Sequence, residues 1–282
     1  MEEVVLPAGW APYAVTGDAA GTVWTTILNP AGLGSVTSAR VVGHEALAGQ
    51  PMQLAAGADA ALWYTCGDDR IGRRDASGAH TTIDLAPGSA PYGIAAAPDG
   101  DIWFTASGTN QIGRITARRT ITMMDLPLPG SRPAMITVDS SGTAWAALNG
   151  AGALARVRGE AVEIVELPGG AAPVGVTAAP DGVWYADIAG GCTGRVDHSG
   201  VVEWVPFEDS GCRPHAVAAD PGGGCWVTLW GSGELARVTA GCVITVQKLP
   251  GNEPHGLWVS PTHVWVAMES GSLVVCPRSA AG

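Results

Sequence analysis

The sequence predicts an all-β fold, a seven-bladed β-propeller with four antiparallel strands per blade. Three observations carry this expectation. A Pro leading into an apolar stretch recurs at Pro12, Pro51, Pro91, Pro133, Pro173, Pro214 and Pro254, a period of about forty residues, which is the length of a propeller repeat. A Trp follows each Pro by eleven or twelve residues, at Trp24, Trp63, Trp103, Trp145, Trp184, Trp226 and Trp265. Seven of the 11 Trp therefore share one register, which chance placement does not produce. No segment sustains a helical period, so α/β architectures lose.

The elements of one repeat follow in order. Between Pro and Trp lies a turn such as Pro98-Asp99-Gly100 or Pro180-Asp181-Gly182, the chemistry of a hairpin connector. A second strand accompanies the Trp. A third runs through a small residue and Arg, as in Gly72-Arg73, Gly113-Arg114, Ala155-Arg156, Gly194-Arg195 and Ala236-Arg237. A fourth ends at Leu-Pro, as in Leu126-Pro127, Leu167-Pro168 and Leu249-Pro250. Four short antiparallel strands make a blade. The same ending occurs at Val4-Val5-Leu6-Pro7, ahead of the first repeat, while the last repeat has room for only two strands after its first. The N-terminal strand is therefore expected to close the last blade, which removes two free sheet edges. Residues 1–282 read as one domain.

Composition narrows the function. Gly (40) and Pro (20) are frequent, but apolar residues stay abundant at 46%, so the chain is globular and turn-rich. A net charge of -11 argues against nucleic acid, which needs clustered Lys and Arg, and against anionic membrane surfaces. No signal peptide or apolar span is visible, and a cytoplasmic, monomeric protein is the expectation. The six Cys form no CxxC pair and are expected to be buried or partly buried free thiols.

The repeat also serves as an internal control. First strands line the central axis, so equivalent residues ring one mouth. After each Pro stand Tyr13, Met52, Tyr92, Ala134, Val174, His215 and His255. Before it stand Ala11, Gln50, Ala90, Arg132, Ala172, Arg213 and Glu253. Fifteen residues past it come Ile27, Cys66, Ala106, Leu148, Ile188, Leu229 and Glu269, with Asp187 one residue off that ring. Glu253, His255 and Glu269 depart from the repeat together, in one blade, with His215 in the next. Two carboxylates suit a hard cation such as Mg²⁺, and a His beside them suits general base work. Trp230 offers a substrate-facing wall, and Tyr13 and Tyr92 share the ring. His44, His80, His198 and His263 lie off it.

These residues resemble the streptogramin B lyases, also called virginiamycin B lyases, over essentially the whole chain. The specific pieces are Arg213-Pro214-His215-Ala216, Glu253-Pro254-His255-Gly256 and Trp265-Val266-Ala267-Met268-Glu269, with Ala11-Pro12-Tyr13-Ala14 beside them. The resemblance implies a carbon–oxygen lyase that linearises a small-molecule cyclic depsipeptide antibiotic by elimination at its ester, conferring resistance. It implies His255 as catalytic base, Mg²⁺ on Glu253 and Glu269, and substrate contact at His215 and Tyr13. Where members of the family often carry Glu shortly after the blade Trp, this chain has Ala, Leu or Cys, Leu229 among them. Two alternatives stand beside this reading: a metal-dependent lactonase or esterase on the same scaffold, and a non-catalytic binding propeller.

Overall fold

Each repeat Pro opens the innermost strand of a blade. A proline lacks an N–H, so it is tolerated at the first residue of a strand. The structure, a computed structural model, describes residues 1–239 and 241–278. Its strands form seven four-stranded antiparallel sheets. Blade I runs Pro12–Gly17, Val23–Ile27, Gly32–Val36 and Val42–Ala46. Blades II to VI repeat this order from inner strands Pro51–Ala56, Pro91–Ala96, Pro133–Val138, Pro173–Ala179 and Pro214–Ala219. Blade VII takes Pro254–Val259, His263–Met268 and Ser272–Pro277 from the C-terminal end, and Glu2–Val5 as its outer strand. The pairing of Val4 with Leu273 sets that closure in register. Inner strands lie side by side around the ring, blade VII against blade I included.

The second-strand Trp sits on its blade's face toward the next blade. Trp24 packs with Leu54 and Tyr64 of blade II, Trp63 with Ile94 and Phe104 of blade III, and so around to Trp265 with Val15 and Ile27 of blade I. Each buried aromatic contributes roughly 1.5–3 kcal/mol of transfer free energy, spread over seven equivalent interfaces. The exposed side of each Trp is covered by a guanidinium 4.4–5.8 Å from a ring centroid. In blades II to VI this is the third-strand Arg of the same blade. Blade I has Ser35 and blade VII Val275 at that place, and Arg74 and Arg40 reach over from the following blade instead.

Two details of the inner strands shape the mouth of the ring. Every inner strand breaks register just after its Pro. Such a bulge re-aims a side chain, here the residue after Pro. In four blades the Thr two residues after the Trp repairs the bulge. Its hydroxyl accepts the freed amide (Ala14, Gln53, Gly93, Ala216) and donates to the carbonyl of the next blade's post-Pro residue (Met52, Tyr92, Ala134, His255).

All six Cys are free, as expected, and five are buried; Cys242 is the exposed exception. The structure corrects one count. Blades V and VII have a Pro-to-Trp spacing of eleven, because the connector between their first two strands is one residue shorter. The residues that pair with the repeat Pro are therefore Asp187 and Met268, in line with Ile27 and Leu229. Asp187 is on that ring, not off it. Glu269 belongs one step further out, with Leu28, Gly67, Ser107, Asn149, Ile188 and Trp230, whose amides all donate to the carbonyl of the pre-Pro residue.

Candidate functional site

The mouth at the Pro end of the inner strands brings the sequence-selected residues together. His255 and His215 follow Pro254 and Pro214 on neighbouring inner strands, and their rings meet edge to face with centroids 4.7 Å apart. Gly256 lets the next blade approach on the other side: a Cβ there would stand 2.5 Å from the Tyr13 carbonyl oxygen. Tyr13 of blade I consequently lies over His255, centroids 4.4 Å apart at 35°.

The polar contacts converge on one atom. Trp230 Nε1 donates to His255 Nε2 at 3.2 Å, and Glu269 Oε2 lies 2.7 Å from the same nitrogen. An indole only donates and a carboxylate only accepts. With a lone pair on Nε2 the nitrogen serves Trp230; with a proton there it serves Glu269. The corrected register explains the pair, since Trp230 and Glu269 occupy equivalent positions in blades VI and VII. Burial pushes His255 below the ordinary imidazole value, while Glu269 and Glu253 pull the other way. His215 is held down to about 3, first by burial and then by His255. His215 is therefore neutral at pH 7, and the Nδ1 atoms of both rings are buried without a hydrogen-bond partner among the described residues.

Glu253 precedes Pro254 with φ of 57°, a left-handed conformation it shares with Ala90, Arg132 and Arg213 at the equivalent position. Its carbonyl accepts the Glu269 amide at 3.1 Å, which ties the two acidic residues together at the rim. Glu253 is exposed and the Glu269 side chain is a third exposed. Two carboxylates open to water offer only oxygen donors. That set fits a hard cation that keeps most of its hydration shell. Among the described residues no three or more His, Cys, Asp or Glu form a closed metal cage, so a cation here would rest on these two carboxylates and water.

Around the axis from this corner lies a bowl of about 550 Å³, lined by Tyr92, Arg132, Ala134, Asn149, Ile188 and His215 among others. The Tyr92 hydroxyl lies 2.7 Å from that of Tyr13, reaching past blade II. Burial raises the pKa of both phenols. The guanidinium of Arg213 covers the Trp230 ring at 5.6 Å.

Two sequence readings resolve as scaffold. Leu229 is buried against Pro214 in the contact between blades V and VI, so it faces no substrate. The Asp187 carboxylate is buried and accepts the amides of Ala172, Ala189 and Gly190 at 2.8–3.1 Å, which fixes the blade V loop. The repeat did not single out Thr228, whose hydroxyl lies 3.2 Å from the His255 carbonyl and anchors that residue's backbone. A signal for it exists, because only four of the seven repeats carry Thr two residues after the Trp.

This fold recurs in known proteins. The profile of the virginiamycin B lyase family matches residues 1–276. A virginiamycin B lyase of Nocardia farcinica is 37% identical over 275 residues, 96% of each chain. Among solved structures, the virginiamycin B lyase of Staphylococcus aureus superimposes with a TM-score of 0.92 at 31% identity, covering 96% of this chain and 97% of that one. A catalytically inactive histidine-to-alanine variant of the S. aureus enzyme, crystallised with quinupristin, gives 0.93 at 30% identity with the same coverage.

Proposed function

The chain belongs to the virginiamycin B lyase family, and from that premise we propose that it linearises type B streptogramins by elimination at the ester that closes their depsipeptide ring. The observation that carries this reading is the setting of His255 Nε2, a buried imidazole nitrogen held between an N–H donor and a carboxylate.

In this reading Nε2 starts as a lone pair, held in place by the Trp230 N–H. It takes the α-proton of the threonine whose β-oxygen forms the ester. The electron pair of that C–H bond becomes the new Cα=Cβ double bond, and the Cβ–O bond breaks with its pair going to a carboxylate. The proton now on Nε2 stays on the ring and hydrogen-bonds Glu269, whose negative charge stabilises the imidazolium. Carboxylate is a good leaving group, so no strong general acid is required, and His215, neutral and edge-on to His255, orients the substrate. Tyr13 and Trp230 wall the reacting centre from water. Glu253 and Glu269 would hold Mg²⁺, which when bound supplies Lewis acidity that stabilises enolate-like charge on the substrate carbonyl. A monomer acting in the cytoplasm in this way would protect its host from the antibiotic.

The test is incubation with quinupristin, with and without Mg²⁺, followed by mass spectrometry and ultraviolet absorbance. Elimination leaves the mass unchanged and adds the absorbance of a conjugated alkene. A mass gain of one water would instead assign the site to a metal-dependent hydrolase.

A further inference from the structure

A histidine that moves protons is usually oriented through its second ring nitrogen, by a hydrogen bond to a carboxylate or carbonyl. His255 lacks this device, since its Nδ1 is buried and has no partner among the described residues. The contacts at Nε2 fix that atom's position but leave the plane of the ring free to tilt about it. What holds the plane is Tyr13, which covers one face at 4.4 Å, and the edge of His215. Tyr13 is in turn held by its hydroxyl, and its hydrogen-bond partner among the described residues is Tyr92 Oη at 2.7 Å. Tyr92 is well placed to hold it. Its own carbonyl is anchored by the Thr65 hydroxyl at 2.7 Å, and the residue lines the bowl.

We propose that Tyr92 is a positioning residue for the reaction: acting through Tyr13, its hydroxyl braces the His255 imidazole in place of the missing hydrogen bond at Nδ1. The brace crosses the mouth from blade III to blade I and reaches blade VII by stacking. It requires Tyr in both repeats, whereas Met52 in the intervening blade only has to leave room. The inference rests on the proposed lyase activity for its kinetic test, and a second readout is independent of that activity.

The kinetic test is a double-mutant cycle on quinupristin with Tyr92→Phe, Tyr13→Phe and the pair. Each change keeps the ring and removes one hydroxyl of a single hydrogen bond. Tyr92→Phe should lower kcat about five- to tenfold with KM within about twofold, and should add less than about twofold in the Tyr13→Phe background. Equal losses in both backgrounds, or a loss confined to KM, would overturn the proposal. The independent readout is the ¹H–¹⁵N spectrum of the His255 imidazole without substrate. Tyr92→Phe should broaden or shift its ring resonances, and spectra superimposable on wild type would overturn the brace. A wild-type protein inactive on quinupristin would refute the lyase reading instead, and the spectrum would still decide the brace.

Discussion

Replacing Thr228 by Val should separate the contribution of the inter-blade hydroxyl to stability from its contribution to the site. The substitution keeps the shape of a fully buried side chain and removes one hydroxyl. That hydroxyl accepts the Ala216 amide at 2.9 Å and donates to the His255 carbonyl at 3.2 Å. Leaving such a buried group unpaired costs roughly 1–3 kcal/mol. A folding penalty of that size lowers the melting temperature by about 2–6 °C in a chain of this length. The fold should survive, because blades IV, V and VII already carry Ala147, Ala186 and Ala267 at this place. The control is Thr105→Val, which breaks the equivalent bonds to the Gly93 amide and Ala134 carbonyl, at 2.8 and 2.7 Å, in blade III. Both variants should lose similar stability. Only Thr228→Val should lose kcat on quinupristin, by about tenfold, short of the ~100-fold that a full 1 Å displacement costs. The assay is run well below both melting points. If the two variants lose kcat equally, or Thr228→Val loses none, the hydroxyl does not position His255 and the reasoning fails.

The other expectations can be checked with the same assays. His255→Ala should lower kcat by about 10²–10⁴-fold, the usual contribution of a positioned general base, while isothermal titration still detects quinupristin binding. Glu253→Gln and Glu269→Gln should each weaken apparent Mg²⁺ affinity by about tenfold or more, read from activity against free Mg²⁺ after EDTA treatment. His215 supplies a pH signature. Its folded pKa of about 3 lies below the unfolded value, so between about 6.5 and 3 the unfolded chain holds a proton that the folded chain does not. Stability should therefore fall as pH drops through this window, by up to about 1.4 kcal/mol per pH unit from this group, and urea melts at pH 7 and 5 should show a smaller difference in His215→Gln. Asp187→Ala should cost roughly 1–3 kcal/mol in a thermal melt by orphaning the loop amides it caps, with activity per folded molecule unchanged.

The sequence carries the fold because the features that build a propeller are periodic: a Pro tolerated at the start of an inner strand, and a Trp that covers the next blade. The N-terminal strand is legible for the same reason, as a fourth-strand ending with no repeat ahead of it. The site is legible where one blade breaks the pattern, at Glu253, His255 and Glu269. What misleads is the origin of the count. A connector one residue shorter moves every position beyond it when residues are numbered from the Pro, and that numbering sets Asp187 aside and matches Glu269 with Leu229. Counting from the Trp absorbs the change, because the ring residue directly follows the strand that carries the Trp: four residues on stand Leu28, Gly67, Ser107, Asn149, Ile188, Trp230 and Glu269. The donor and acceptor at His255 Nε2 then fall on one ring in adjacent blades, a relation readable in one dimension once the strand sets the origin. The contact between Tyr13 and Tyr92 has no such reading. It depends on how far two phenols reach across a closed ring, and the distance between non-adjacent blades is fixed only when all seven interfaces have formed. Residues that act within a blade can thus be found by comparing repeats, whereas residues that act across the axis require the assembled ring.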